Sequence, residues 1–440
     1  MLSIFLILPP PAASRRGIMP GMVSIASSSP ASDKPLPEAR APLPAQAGRS
    51  LLAASMAHAV HDGMTDLIYV LLPLWQSQFG LSLAFTGALR GLYAACMAGF
   101  QVPATRLARR WGRPALLVGG TVLVALAYLV AGLSGALPVV CGALLLGGLG
   151  ASTQHPLASA LVADAYAGHR GQARRALASY NFAGDLGKTA VPALVGALLM
   201  WLGWQHSLIA VGLLGLGAAA GLAWLLRSAP AQALAGDGGP AKPAPRPLEA
   251  SVLPPPWGFA ALAATGVVDS GTRMGFLTFL PFVLSAKGLG AAGIGLALGL
   301  LFVGGALGKL LCAVLERHLG LLRTVWLTEG ATAACIVGTL LLPGWGALAL
   351  MPLLGLMLNG TSSVLYGCVP DLVAPERRDR AFALYYTATI GAGAIAPSLF
   401  GWLGDQWGVA PAMQAVAGFV LLTWPLTWMV RQALAGQRTA

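Results

Sequence analysis

The sequence predicts an all-α membrane protein that crosses the bilayer twelve times, as two pseudo-symmetric six-helix bundles. Three observations predict this class. Only 10% of the 440 residues are charged and 56% are hydrophobic, whereas soluble domains carry about 25% charged residues. Twelve stretches are long and apolar enough to span a membrane, which takes about 20 residues each. The two halves of the chain also resemble each other in sequence.

The predicted spans follow one another closely, with one long interruption after the sixth. They lie near residues 50–75, 84–107, 114–133, 138–163, 176–201, 205–226, 257–284, 290–315, 322–342, 346–371, 381–403 and 409–430. A segment rich in Pro, Gly and Ala separates the two sets of six, and a Pro-, Ala- and Ser-rich segment precedes the first. We therefore expect a disordered tail, a first bundle, a linker, a second bundle and a short second tail, at 1–48, 49–227, 228–256, 257–431 and 432–440.

Basic residues occupy alternate gaps between the spans. One set of gaps contains Arg106, Arg109, Arg110, Arg113, Arg170, Arg174, Arg175, Arg317, Arg323, Arg377, Arg378, Arg380, Arg431 and Arg438. In the opposite set of gaps, Lys287 is the single Lys or Arg residue. Because Lys and Arg are retained on the cytoplasmic side, both termini and the linker are predicted to be cytoplasmic. The net charge of +12 therefore reflects topology, and no nucleic-acid partner is expected, since a nucleic-acid binder would group these charges on one folded face.

The two halves repeat each other at a constant spacing. LLPLWQSQFGLS at 71–82 matches FLPFVLSAKGLG at 279–290, and LARRWG at 107–112 matches LERHLG at 315–320, both 208 residues apart. Twelve helices built as two parallel repeats are the architecture of a major facilitator transporter, in which the substrate site lies between the halves near the midplane.

The first predicted span carries an unusual polar stripe. His58, Asp62 and Asp66 are spaced four residues apart and share one helix face, with His61 and Thr65 beside them. A carboxylate at the centre of a bilayer costs about 2.5–3.5 kcal/mol on insertion scales. The stripe must therefore face other helices or water.

Motifs in the first half resemble the fosmidomycin-resistance group of major facilitator transporters. That group has a His-x-x-Asn-Asp core, then Pro-Leu and a Phe-x-Leu loop. His58, Asp62, Pro73 and Phe79 occupy the corresponding positions, and His61 replaces the Asn.

Two further spans carry the same resemblance. GGLGASTQHPLASALVA contains the His155-Pro156 pair of that group's fourth helix, and GDLGKTAVP matches its fifth, except that Asp185 and Lys188 replace neutral residues. The resemblance implies a monomer in the bacterial inner membrane that exports small toxic compounds in exchange for protons.

The loop after the second span departs from the family pattern. The usual Gly-x-x-x-Asp-Arg-x-Gly-Arg signature reads TRLARRWGR at 105–113, so that arginine replaces its acidic residue. In the second half, Glu316 is a candidate for the missing acid. The residues predicted to form the gate on this side are Arg109, Arg110, Arg113, Glu316 and Arg317.

Acids and bases inside the spans nearly balance, which predicts pairing. Their spacing allows two pairs within single helices, Asp185 with Lys188 and Asp269 with Arg273. Between helices, we expect Arg90 to neutralise Asp66 and Lys309 to pair with Glu329. For both pairs within one helix a purely structural role is the simpler alternative to a role in transport.

Asp62 is the predicted proton carrier, because Arg90 is expected to neutralise Asp66 instead. His58, one turn away, is predicted to take or stabilise that proton. His61 aligns with Asp269 between the two repeats, so both are included in the predicted proton-coupling set.

A polar cavity is predicted around this stripe. Pro156 should kink the fourth span, and His155 and Gln154 are expected both to satisfy the kink and to line the cavity. The full predicted lining is Asp66, Arg90, Gln154, His155, Asn181, Asp185, Lys188, Arg273, Asn359 and Tyr366.

These features predict a secondary active transporter in a lipid bilayer, exchanging protons for a small toxic compound or metabolite by alternating access. Import of a small organic anion together with protons is the alternative. No nucleophile elbow, phosphate loop or metal-ligand spacing appears in the sequence, so neither an enzyme nor a cofactor or metal is expected.

Overall fold

The computed structural model describes residues 46–167, 169–227, 255–374 and 377–435. All of them fall in one unit, Leu43–Ala440. Most of the predicted first tail and linker, and the last five residues of the second tail, lie outside the described residues. Within these residues all regular secondary structure is helical.

The first six spans comprise eight helices. They are α1 (Ala47–Asp66), α2 (Ile68–Phe79), α3 (Leu83–Trp111), α4 (Arg113–Ser134), α5 (Leu137–Ala151), α6 (Gln154–Ala165), α7 (Arg170–Leu198) and α8 (Trp204–Leu226). The last six spans comprise seven helices and one 3-10 turn (Val369–Asp371). The helices are α9 (Pro256–Ala286), α10 (Ala291–Leu341), α11 (Gly344–Leu358), α12 (Thr361–Gly367), α13 (Arg378–Trp407), α14 (Val409–Val420) and α15 (Thr423–Ala435).

These helices confirm the predicted fold class of twelve spans. The pairs α1–α2, α5–α6, α11–α12 and α14–α15 each form one broken span, and α10 contains the eighth and ninth spans, which meet at the non-helical Gly320. Eight helical segments among the described residues are long and apolar enough to cross a membrane, α10 counting as one. The first, fifth and eleventh spans are absent from that set, and each carries several charged residues.

The backbone reproduces the internal repeat. Gly80 and Gly288 end the first and seventh spans with φ of 60° and 83°. Gly112 and Gly320, with φ of 81° and 75°, separate the second from the third span and the eighth from the ninth. Only glycine adopts such positive φ values readily. Each pair is 208 residues apart, so the same turn recurs at the same place in both halves.

The fourth span is broken at residues 152–153, just before Pro156, as predicted. The hydroxyl groups of Ser152 and Thr153 donate to the carbonyl oxygens of Leu149 and Gly150, at 2.7 and 3.0 Å. The expectation that His155 and Gln154 would satisfy this break is therefore wrong, because shorter side chains at the break reach the carbonyls first.

The apolar core is continuous across both halves on one side only. We call the side where α1 begins and α15 ends the termini side, and the opposite side the far side. One large core contains residues of both halves and occupies the far side and the middle. Towards the termini side the core divides into two clusters, one formed only by residues of the first half and one only by residues of the second.

Small residues bring the halves together at the far side. A methyl group at Gly87 would overlap the carbonyl of Pro397 between the second and eleventh spans. Between the fifth and eighth spans, a methyl group at Gly196 would lie 2.6 Å from the carbonyl oxygen of Ala291. The Asp405 carboxylate also accepts hydrogen bonds from the backbone N–H groups of Leu83 and Ala84, at 2.6 and 2.9 Å.

Polar side chains are exposed in the parts of the spans nearer the termini side. They are Ser179, Asn181, Ser363, Tyr366, Tyr386 and Thr387. Thr387 donates to a carbonyl of its own helix at 2.8 Å, but the group as a whole is more readily accommodated by water than by lipid. Together with the divided core, this indicates a conformation that is closed at the far side and open to water towards the termini side.

Candidate functional site

Four polar side chains of the first half meet around one buried carboxylate, that of Asp62. Asp62, 4% exposed, lies on α1 with His58 and His61, facing His155 of α6 and Lys188 of α7. Its Oδ2 is 3.2 Å from His58 Nε2 and 3.2 Å from Lys188 Nζ. Its Oδ1 is 3.7 Å from Nε2 of both His61 and His155. We call these five residues the Asp62 cluster.

Two glycines of α7 allow the cluster to form. A methyl group at Gly184 would lie 2.7 Å from the His58 ring and 2.8 Å from Asp62 Oδ2, and one at Gly187 would overlap the Ala59 carbonyl. Because neither glycine has a side chain, α7 packs directly against the polar face of α1. This contact brings Lys188 within reach of Asp62.

His58 is held between two acceptors. Its Nδ1 is 2.9 Å from the Tyr180 carbonyl oxygen, and its Nε2 faces Asp62. The ring also stacks on Tyr180, with centroids 4.2 Å apart. A carbonyl and a carboxylate only accept hydrogen bonds, so the ring can donate to both only when it carries two protons.

The charges of α7 do not pair with each other, contrary to the sequence prediction. Lys188 pairs with Asp62, while the Asp185 carboxylate accepts from Lys309 Nζ of α10 at 2.7 and 2.8 Å. The predicted pair between Lys309 and Glu329 is therefore also wrong. Lys188 and Asp185 each find a closer partner on a neighbouring helix than at the position three residues along their own helix. Lys309 is not available to Glu329 because Asp185 binds it with both carboxylate oxygens.

The prediction that Arg90 pairs with Asp66 is confirmed. Arg90 Nη2 lies 3.7 Å from Asp66 Oδ1, and its guanidinium lies 4.9 Å from the Tyr69 ring centroid. However, Asp62 has a cation even closer, in Lys188. The reason for preferring Asp62 over Asp66 as proton carrier is therefore lost, and the distinguishing feature of Asp62 becomes its three histidine neighbours.

The second half contains two neighbouring buried acids. Asp269 and Glu329 are 4% and 2% exposed, and their carboxyl groups lie near each other. Among the described residues, Asp269 forms no ion pair within 4 Å with Arg273, so the predicted contact between them is not made. The sequence did not indicate the neighbouring position of Glu329, because it comes from a different span.

The remaining predicted cavity residues are dispersed. Asn181 is exposed, and Asn359 donates from Nδ2 to the Gly355 carbonyl at 3.2 Å. Tyr366 packs with Phe382, with ring centroids 4.8 Å apart. The fourth residue, Gln154, was predicted to line the cavity but lies elsewhere.

Gln154 does not line an open cavity in this conformation. It is 1% exposed, and its amide donates to the Leu117 carbonyl and the Thr121 hydroxyl of α4 at 3.2 and 3.0 Å. Its role here is to join the third and fourth spans.

The predicted gate contains an ion pair that the sequence analysis missed. Arg113 pairs with Asp164 at the end of α6. Arg109, Arg110 and Arg317 are exposed and Glu316 is half-buried; within the described part of the chain Glu316 forms no ion pair. The acid that pairs with Arg113 is thus Asp164, whose only sequence signal was a charge at the end of an apolar run.

The fold and the site agree with one protein family. The family model described as Major Facilitator Superfamily matches residues 54–367. The chain belongs to the Major Facilitator Superfamily. Proteins of this superfamily are transporters, so the chain is a membrane transporter of small molecules and, at the family level, not an enzyme.

Relatives and solved structures agree with this assignment. The chain is 29% identical to a chloramphenicol resistance protein of Streptomyces lividans over 282 residues, which cover 64% of this chain and 67% of that protein. It also resembles two structures of a bacterial homologue of the human lysosomal transporter Spinster. The inward-facing, occupied form has a TM-score of 0.71 at 16% identity and covers 88% of this chain and 97% of that one. The inward-facing, unoccupied form has the same TM-score at 15% identity, covering 89% and 98%.

Proposed function

We propose that this superfamily member exchanges protons for a small toxic compound, which it exports by alternating access. The observation that carries the proposal is the Asp62 cluster. In it, one oxygen of a buried carboxylate contacts both the imidazole of His58 and the ammonium group of Lys188. The side chains of His155 and Lys188 are 42% and 31% exposed, so a proton bound at the cluster can leave through the wet opening.

Proton uptake at this cluster would free Lys188. A neutral Asp62 holds an ammonium ion more weakly than a carboxylate does, because the charge-assisted bond is lost. Lys188 is then available to Asp185, three residues away on the same helix face. There it competes with Lys309 for the same carboxylate.

This competition would connect proton binding to movement of the halves. The Asp185–Lys309 pair joins the fifth span to the eighth, and so the first half to the second. The described conformation, open to the termini side, contains the pair that a deprotonated Asp62 allows. In an exchange cycle the proton would enter from the opposite side, where it would compete with substrate and weaken this pair, and would leave through the termini-side opening, which restores the pair.

The direction of export rests on orientation and on relatives. The arginine-rich gaps support a cytoplasmic position for the termini side in a bacterial cell, and the described opening would then admit substrate from inside. The resemblance to the fosmidomycin-resistance group and the likeness to a chloramphenicol resistance protein both support a small toxic compound as substrate.

Asp62→Asn tests the proposal, because it removes the ionisable group but keeps the side chain's size. A drug-sensitive strain that expresses the wild type should tolerate chloramphenicol, fosmidomycin or another compound from a toxicity screen, and a protonophore should abolish this tolerance. Asp62→Asn should reduce tolerance to that of the empty vector at equal membrane levels. Asp371→Asn, at an exposed position outside the cluster, serves as the matched control. Export by Asp62→Asn at the wild-type rate would refute the assignment.

Import of a small organic anion is the second candidate. It is favoured by two arginines with unused donors: Nε and Nη1 of Arg90 and Nε of Arg273 have no hydrogen-bond partner among the described residues. Energised vesicles of known orientation distinguish the two candidates. Accumulation in inside-out vesicles supports export, and accumulation in right-side-out vesicles supports import.

A further inference from the structure

Three ligand atoms of the Asp62 cluster converge on one point. His61 Nε2 and His155 Nε2 are 3.3 Å apart, and each is 3.7 Å from Asp62 Oδ1. We propose that these three atoms form a binding site for a divalent transition-metal ion such as Zn²⁺.

The separations suit a shared metal ion. The two contacts to Asp62 Oδ1, at 3.7 Å, exceed the 2.7–3.2 Å typical of N–H···O hydrogen bonds, and the two imidazole nitrogens are 3.3 Å apart. A point equidistant from three atoms so arranged lies about 2.1 Å from each, which matches the bond lengths of Zn²⁺ to histidine nitrogen and carboxylate oxygen. That point lies in the plane of the three atoms. An ion displaced from this plane towards a fourth ligand would still lie about 2.2 Å from each atom, close to the tetrahedral geometry that Zn²⁺ prefers.

The surroundings complete the features of a metal site. The ligand atoms of His58, Asp62 and His155 also lie within 4.8 Å of one another, but His58 is engaged by the other carboxylate oxygen, so the fourth ligand would be water. The other carboxylate oxygen, Oδ2, contacts His58 and Lys188. In known metal sites, residues that do not bind the metal orient the ligating carboxylate by contacts of this kind. Imidazole nitrogen together with carboxylate oxygen suits Zn²⁺, Co²⁺ and Ni²⁺. His155 borders the wet opening and gives an ion a way in.

The positive charge of Lys188 should weaken metal binding, which provides a further test of the proposed site. Its ammonium group is 3.2 Å from the carboxylate that would bind the ion, and like charges repel strongly away from water. Replacing it with neutral glutamine should therefore raise metal affinity. Metal and protons also compete for the same atoms, because metal ligands must be deprotonated. An ion at this site excludes the proton that the transport cycle needs.

Metal binding can be measured without transport. Protein purified without a polyhistidine tag is titrated with Zn²⁺ by calorimetry and with Co²⁺ by visible spectroscopy, in which a site of this kind gives d–d bands. We expect one ion per chain. His155→Ala and His61→Ala should weaken binding by about tenfold or more, since even indirect contacts to metal ligands matter by 10–100-fold. Lys188→Gln should strengthen it, and His206→Ala, an exposed histidine outside the cluster, should leave it unchanged.

Two results would overturn the site. One is equal binding by the wild type and by folded His155→Ala, with folding judged from the melting temperature and gel-filtration profile. The other is an absence of the Co²⁺ bands in both the wild type and Lys188→Gln. Because neither readout needs a substrate, failure of the metal site leaves the transport proposal standing, and the converse also holds.

Discussion

At the scale of single residues, the charges inside the spans select partners on other helices. Asp62 and Lys188 join the first and fifth spans, while Asp185 and Lys309 join the fifth and eighth. A charge in a low-dielectric setting is tolerated when a partner and further hydrogen bonds compensate it. Each pair therefore both neutralises a charge and fixes the position of α7.

The Asp185–Lys309 pair gives a prediction at this scale. Asp185→Asn and Lys309→Met each leave one charge without its partner, which in a fully buried site costs about 3–5 kcal/mol. We expect a smaller loss here, because the Lys309 side chain is 40% exposed.

The double variant Asp185→Asn/Lys309→Met removes both charges and should recover most of the melting temperature lost in the single variants. The measurement is thermal unfolding in detergent. Additive losses in the double variant would show that the two side chains do not interact.

At the scale of elements, α7 is the helix on which the site depends. Its glycines pack against α1, its Asp185 contacts α10, and its end packs against the start of α10 through Gly196 and Gly295. One helix thus contacts the predicted proton site and the interface between the halves. This position explains how proton binding at one place can affect packing at the other.

Gly187→Ala tests the close approach of α7 to α1. The added methyl group would overlap the Ala59 carbonyl, so the helices must separate, and overpacking of this kind costs about 1–3 kcal/mol. The melting temperature and tolerance to the exported compound should both fall. Gly171→Ala on the same helix meets nothing within 4 Å and should leave both unchanged. Equal behaviour of the two variants would show that the contact is unimportant.

At the scale of the whole molecule, the two halves form one core at the far side and two separate cores at the termini side. A transporter that alternates must break the first arrangement and form its counterpart. Several contacts between the halves at the far side consist of backbone packed against glycine, and Asp405 holds the start of α3. These contacts involve no long side chains, so they can part without repacking of their own.

A disulfide across the far side should stop transport. Ala84→Cys and Asp405→Cys, introduced together into a variant without the five native cysteines, are placed where Asp405 contacts the N–H of Ala84. Oxidation should link the second and eleventh spans and abolish export, and a reducing agent should restore it. Each single-cysteine variant controls for the substitutions themselves. Full activity of the cross-linked protein would contradict the idea that this side must open.

The sequence by itself determined the number of spans, the duplicated construction and the polar stripe of the first span. These are local or repetitive properties, because hydropathy, arginine placement and four-residue spacing can be read along one chain. The turn glycines Gly112 and Gly320 confirmed the repeat because positive φ values restrict the residue type.

Only the tertiary structure decided which charges meet. Asp185 and Lys188 share a helix face, yet each pairs with another helix. Asp164 became the partner of Arg113, and His61, His155 and Asp62 converged from two helices on one point. Spacing along a helix shows which side chains share a face, but the partner across that face depends on how helices distant in sequence pack together.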